Sequence, residues 1–199
     1  MTNEELMKIY WIVLAVFSVL LISYFGHKIY LIKHSDSTKS AAAKVFRLHG
    51  GIRDWKTLSD VTLGEGADAV AADQLVIGPF GVIVACDLYQ KGNVYGDLTA
   101  AEWIIAQGEE ADEKKYRIPS PYHQAQLFVE QLRRVFAENK IYSVPVEIMI
   151  PKTQKQGSYI TGSSQYLFDL RELKAQLEKA RFDKDNGVDV EACAALLKH

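Results

Sequence analysis

The feature that most constrains this chain is an N-terminal run of 18 residues without a charge, IYWIVLAVFSVLLISYFG at 9–26. At about 1.5 Å of rise per residue, a helix of this length nearly crosses a hydrocarbon core of about 30 Å. Tyr10, Trp11 and Tyr24 lie near its ends, where aromatic side chains favour the membrane interface. A cleaved signal peptide is less consistent, because two glutamates precede the run and no small-residue cleavage motif follows it. The sequence therefore predicts a tail and transmembrane anchor at 1–34 that contacts the lipid bilayer through residues 9–26.

The lysines around this run predict its orientation. Only Lys8 precedes the run, whereas Lys28, Lys33, Lys39 and Lys44 follow it. Because positive charge is retained on the cytoplasmic side of a membrane, we expect the N-terminus outside and the rest of the chain in the cytoplasm. The same lysines could also contact anionic lipid headgroups. The predicted location is the cell membrane, with a single pass.

Residues 35–199 have the length of one domain. From residue 45 onward, 18 Lys and Arg stand against 22 Asp and Glu, which argues against a protein whose main role is non-specific binding to nucleic acid. The two cysteines, Cys86 and Cys193, form neither a disulfide framework nor a paired metal motif. We expect Cys193 to be a buried apolar residue on a helix face.

Helix and strand signals alternate along this domain. Gly78-Pro79-Phe80-Gly81 separates two apolar runs and predicts a β-hairpin, and Ser120-Pro121 is typical of a helix start. In the first half, the predicted elements are a helix at 36–47 ended by Gly50-Gly51, strands at 55–63, 74–77, 82–86 and 93–95, a strand or short helix at 100–107, and a charged loop at 109–115. A helix from 120 follows, with core positions Leu127, Phe128, Leu132, Val135 and Phe136, and then a strand at 144–150 stopped by Pro151. The chain continues with a loop at 152–164, a helix capped by Asp169 and Glu172, and a last helix that carries Val190, Cys193 and Leu197. We expect the strands at 74–77, 82–86 and 93–95 to form one antiparallel meander.

The ordered motifs in the first part of this domain resemble those of the nuclease-related domain family. They are WKTLSDVTL, ADQLVIGPFGVIVACD, GNVYGD, a single tryptophan at Trp103, and SPYHQ before an amphipathic helix. The resemblance covers roughly residues 40–150, and residues 167–197 are similar to the family's helical tail. It implies an α/β restriction-endonuclease-like domain at 35–199, with a central mixed β-sheet flanked by helices.

The resemblance also implies where a metal site lies in such a domain. In that fold an Asp at the start of the second strand and a Glu on the third hold Mg²⁺, and a Lys two residues later assists the attacking water. Asp73 matches the family Asp and Gln124 a retained glutamine, but Cys86 occupies the Glu position and Leu88 the Lys position. Ser120 replaces an Asn, and the acidic residue of the first helix has no counterpart.

These departures predict a domain without catalytic residues, metal or cofactor, because Mg²⁺ prefers oxygen ligands to a thiol. Strand alternation places Asp87 on the face opposite Cys86. A β-bulge could turn Asp87 towards Asp73, and Lys91 could then replace the missing lysine, which would restore a Mg²⁺ site.

Three functions remain open from the sequence. The favoured one is a membrane-anchored, catalytically inactive nuclease-like module that binds a protein partner or organises a membrane complex. One alternative is a metal-dependent nuclease with relocated residues. The other is a non-catalytic nucleic-acid binder, which requires a basic cluster near Gln124 formed by Lys114, Lys115, Arg117, Arg133 and Arg134.

Overall fold

The computed structural model describes residues 41–108, 113–152, 157–162 and 165–197. The anchor predicted at 9–26, its orientation, and the predicted start of the first helix lie outside these residues. Within the described part of the chain, no helix is both long and apolar enough to cross a membrane. The described residues belong to one unit, which spans Ser40–His199.

The described residues form four helices and nine strands, joined by two short 3₁₀ turns at Gly66–Asp68 and Ala180–Phe182. In chain order the elements are α1 (Ala41–Arg53), β1 (Lys56–Leu63), β2 (Val70–Gly78), β3 (Gly81–Ala85), β4 (Asn93–Asp97), β5 (Glu102–Gln107), β6 (Lys114–Pro119), α2 (Pro121–Glu138), β7 (Val146–Lys152), β8 (Ser158–Thr161), β9 (Leu167–Asp169), α3 (Leu170–Leu177) and α4 (Val190–Leu196).

A five-stranded mixed sheet with the order β1-β2-β3-β7-β9 forms the centre of the domain. The first three strands are antiparallel, whereas β7 is parallel to β3 and β9 is parallel to β7. The predicted hairpin is confirmed, with Gly78 paired to Gly81 across the turn. Gly81 has a φ of 136°, and a Cβ there would lie 2.3 Å from the carbonyl oxygen of Pro145, so this turn requires glycine.

Alternation along β2 and β3 divides the core between the two faces of this sheet. Val84 packs with Phe128 and Leu132 of α2 on one face. Ile83 packs with Phe46 of α1 and Leu173 of α3 on the other. The expected mixed α/β sheet flanked by helices is therefore confirmed. Cys193 is fully buried as predicted, but the prediction for Leu127 is wrong, because its side chain is 41% exposed.

A second sheet corrects the predicted meander. β4 does not pair with β3 but lies in a four-stranded sheet of order β6-β5-β4-β8. Its buried face carries Val94, Trp103 and Ile160, which pack together in a core cluster of their own. Residues 100–107 resolve as strand β5, and two predicted loops contribute strands: β6 begins at Lys114, and β8 lies within 152–164.

Two predicted boundaries are also wrong for identifiable reasons. Helix α1 passes through Gly50-Gly51 and ends before Asp54, which takes the left-handed conformation with a φ of 54°. A Cβ at Gly50 would lie 3.1 Å from the Thr57 side chain, a tight contact that a glycine avoids. Strand β7 continues through Pro151, since β3 has already ended opposite Met149 and the missing N–H interrupts no pairing with that strand.

The helix caps agree with the sequence analysis. Ser120 caps α2, and its Oγ accepts a hydrogen bond of 3.2 Å from the His123 N–H. Asp169 and Glu172 form the predicted capping box at the start of α3.

Candidate functional site

A pocket of about 350 Å³ opens beside β1, β2 and the N-terminus of α2. Its lining includes Asp73, Cys86, Asp87 and Gln124, four of the residues that the sequence analysis selected. The pocket therefore lies where the resemblance places a metal site. Its chemistry depends on the state of each of these side chains.

Asp73 lies in β2, and the pairing of β2 with β3 ends at Gln74 and Ala85, the residues next to Asp73 and Cys86. Its Oδ2 accepts a hydrogen bond of 2.7 Å from the backbone N–H of Asp87. Burial raises the pKa of the Asp73 carboxyl, the nearby charge of Asp60 raises it further, and the Asp87 N–H opposes both. The pocket thus retains this carboxylate but favours its ionised form less than water does.

Cys86 stands where the resemblance expects a glutamate. It is buried, and its Sγ lies 4.0 Å from the carbonyl oxygen of Ala71. Burial, followed by the charge of Asp73, raises the pKa of the Cys86 thiol to about 12. The side chain is therefore a neutral thiol near pH 7, which is a poor ligand for a hard cation.

Leu88 occupies the expected lysine position and does not line the pocket. It is fully buried and packs with Val94, Trp103 and Ile150 in the core cluster beneath the second sheet. Its backbone N–H donates a hydrogen bond of 2.8 Å to the carbonyl oxygen of Pro151. An ammonium group at this position would enter an apolar cluster, where burying an unpaired charge is costly.

The two residues proposed to restore the site behave differently. β3 ends at Ala85, so strand alternation does not extend to Asp87, and Asp87 lines the pocket together with Asp73. Lys91 is exposed, and among the described residues it is not part of the pocket lining. Its carbonyl oxygen accepts a hydrogen bond of 2.6 Å from Gln107 Nε2 in the second sheet. The structure therefore brings Asp87 to the site but not Lys91.

Gln124 reaches the pocket from the first turn of α2. Its backbone N–H donates a hydrogen bond of 3.0 Å to the carbonyl oxygen of Ser120, and Ser120 in turn donates its N–H to Ala101. These bonds fix the start of the helix against the second sheet. The five basic residues proposed to gather near Gln124 are not among the described residues that line the pocket.

Asp60 is a pocket residue that the sequence analysis missed. It lies within β1 with a φ of 54°, and the pairing of β1 with β2 skips it between Ser59 and Val61. A non-glycine residue rarely takes this conformation in a strand, and such strain concentrates at functional sites. The only sequence signal was an aspartate within an otherwise ordinary strand. In the described part of the chain, no group of three or more His, Cys, Asp and Glu side chains is arranged to hold a metal ion.

Comparison with known proteins gives one result. A family model described as a nuclease-related domain matches residues 36–150. No curated protein and no solved structure matches the chain significantly.

Proposed function

The chain belongs to the nuclease-related domain family, and from this premise we propose that it is a membrane-anchored, catalytically inactive member that acts as a protein-interaction module. One observation carries the proposal. Leu88, at the lysine position of the resemblance, is a fully buried part of an apolar cluster rather than a residue of the pocket.

The state of the remaining pocket residues supports the loss of catalysis. One carboxylate oxygen of Asp73 accepts a hydrogen bond from the Asp87 N–H, and the Cys86 thiol is protonated near neutral pH. A Mg²⁺ site needs several oxygen ligands around one point, and phosphodiester hydrolysis further needs a group that stabilises developing charge. Among the described residues that line the pocket, there is no lysine or arginine to stabilise that charge.

The proposed location rests on the sequence of residues 9–26 and the lysines that follow them. A membrane anchor would keep the domain on the cytoplasmic side of the membrane, which suits a module that recruits a partner there.

A second function is favoured by one specific observation. Asp60, Asp73 and Asp87 line one pocket with Gln124, so three carboxyl groups lie around the place where a nuclease would bind its metal. If a cation drew these groups together, the chain would be a metal-dependent nuclease with relocated residues. A further non-catalytic candidate, nucleic-acid binding near Gln124, finds no support in the lining of the pocket.

A cleavage assay tests the proposal. Full-length protein purified in detergent is incubated with single- and double-stranded DNA and with RNA in the presence of Mg²⁺ or Mn²⁺, alongside the Asp73→Ala variant. We expect equal background from both proteins. Metal-dependent cleavage that the Asp73→Ala variant lacks would reject the proposal and establish the second function.

A further inference from the structure

A larger cleft, of about 700 Å³, lies at the outer edge of the central sheet between α2 and the segment that ends α3. Strand residues 146–148 line its floor, Arg133 lines it from α2, and Lys179 and Arg181 line it from the segment after α3. We name this space the edge cleft. The edge cleft and the Asp73 pocket lie on opposite sides of α2, because Gln126 and Arg133 line the cleft whereas Gln124 lines the pocket.

The floor of the edge cleft is a strand edge that pairs with no other strand among the described residues. Strand β7 pairs with β3 along its first half, but β9 pairs only with Ile150, Pro151 and Lys152. Among the described residues, no strand covers the outer edge of Val146–Ile148. An open edge presents peptide groups at the spacing of a strand and is a template for another extended chain.

The direction of the peptide groups follows from the hydrogen bonds of β7. The carbonyl oxygens of Pro145 and Met149 accept hydrogen bonds from the N–H groups of Val82 and Cys86, at 2.9 Å and 3.3 Å. The Ile150 N–H points the other way and donates to the carbonyl oxygen of Tyr166 at 2.7 Å. Because alternate residues of a strand bond to opposite neighbours, the N–H and carbonyl groups of Val146 and Ile148 face the cleft.

The lining of the edge cleft carries three basic residues, Arg133, Lys179 and Arg181, and two acidic ones, Glu130 and Glu147. Arg181 forms an ion pair with Glu147. Arg133 and Lys179 are exposed, and neither has an ion pair with any residue in the described ranges. They stand on opposite sides of the open edge, since α2 covers one face of the sheet and α3 the other.

From these observations we propose that the edge cleft binds an acidic peptide in extended conformation, which adds a short strand to β7 at Val146–Ile148. The proposal names the partner class of the interaction module and rests on that proposed function. Successive side chains of an added strand point to opposite faces of the sheet. Acidic side chains of the peptide would thus meet Arg133 on one face and Lys179 on the other, while its backbone bonds to the strand edge.

A matched set of peptides tests the backbone contribution. The probe is the fluorescein-labelled hexapeptide Glu-Val-Glu-Glu-Val-Glu, and its binding to the full-length protein in detergent is followed by fluorescence anisotropy. We expect saturable binding. Methylation of every second backbone nitrogen, the ones whose N–H groups would face β7, should weaken it about tenfold, because strand addition needs those donors. Methylation of the other set should change the affinity less. No saturable binding up to about 1 mM, or equal binding of both methylated peptides, would overturn the proposal.

A matched set of protein variants tests the charge contribution. The double variant Arg133→Glu, Lys179→Glu should bind the probe at least about tenfold more weakly, whereas Arg134→Glu, an exposed neighbour outside the cleft lining, should bind it like the unmodified protein. Equal losses in both variants would indicate general charge attraction and overturn the proposed site. A chain that cuts nucleic acid contradicts the proposed function, whereas a chain that neither cuts nucleic acid nor binds the peptide contradicts the edge cleft alone.

Discussion

The two sides of α2 differ in what they offer a ligand. The Asp73 pocket holds like charges, Asp60 beside Asp73, together with a thiol whose pKa is raised to about 12. The edge cleft holds Arg133 and Lys179 beside an open backbone edge of β7. The first gathers carboxyl groups and a neutral thiol, whereas the second combines basic side chains with backbone hydrogen-bonding groups. If both proposals hold, the place of the expected chemistry and the place that binds a partner do not coincide.

The Cys86 thiol gives the largest expected effect in the pocket. A pKa of about 12, against the ordinary value of 9.0, leaves about a thousandfold less thiolate near neutral pH. In a Cys193→Ala background, we expect Cys86 of the folded protein to react with a disulfide reagent at least about a thousandfold more slowly than the same protein in denaturant. Reaction of the folded protein at the rate of a free thiol would show that the pocket activates this cysteine.

The Leu88→Lys variant asks whether the expected lysine can be restored. Its ammonium group would be buried in the cluster with Trp103, so we expect a loss of about 3 kcal/mol or more in the free energy of unfolding, measured with urea. The matched control Leu127→Lys changes an exposed leucine of α2 and should stay within about 0.5 kcal/mol of the unmodified protein. A Leu88→Lys variant as stable as its control would mean that the side chain at position 88 is not confined to the apolar cluster, which removes the observation that carries the proposed function.

The Asp73 carboxyl gives a smaller, pH-dependent effect. Because burial raises its pKa in the folded state above the ordinary value of 3.8, the folded protein binds this proton more tightly than the unfolded chain does. The free energy of unfolding should therefore fall as pH rises from about 3.8 through the folded pKa, and Asp73→Asn should remove this part of the decrease. Urea unfolding of the unmodified protein and of Asp73→Asn, repeated at several pH values above about 3.8, measures this difference. A pH dependence that is the same in both proteins would show that Asp73 is not perturbed.

The Glu147→Gln variant gives the smallest expected effect and belongs to the edge cleft. Burial raises the pKa of the Glu147 carboxyl, and the charges of Arg181 and Lys179 oppose that shift. Removing the carboxylate releases Arg181 from its ion pair, so the acidic hexapeptide should bind about two- to threefold more tightly. Weaker binding, measured by the same anisotropy assay, would mean that Glu147 holds the cleft in shape rather than competing with the peptide.

Features with a local cause could be predicted from the sequence. The turn between β2 and β3 is marked by Gly78 and Gly81, and the capping box of Asp169 and Glu172 is a signal of four residues. The second sheet could not be predicted in the same way, because β4 pairs with β8 more than 60 residues later in the chain. No local pattern distinguishes a strand that continues a meander from one that begins another sheet.

The candidate site shows the same division. Asp73, Cys86 and Gln124 line one pocket, at positions that the resemblance selected. Asp73 and Cys86 flank the hairpin and could be placed by local spacing, whereas the approach of Gln124 is a long-range contact. Asp60 was missed because its contribution depends on the β1–β2 register and on its left-handed backbone. The edge cleft was missed because it exists only where β9 fails to cover the start of β7, and sequence periodicity does not show how far two strands overlap.

The most direct test of the central claim is a measurement of metal binding at Asp73. Full-length protein in detergent is titrated with Mn²⁺, and free Mn²⁺ is followed by electron paramagnetic resonance, with Asp73→Asn as the matched variant. The account predicts no saturable site in the millimolar range or below that distinguishes the two proteins, because a neutral thiol and a buried leucine replace the expected carboxylate and lysine. One equivalent of Mn²⁺ bound by the unmodified protein and lost in Asp73→Asn would contradict it.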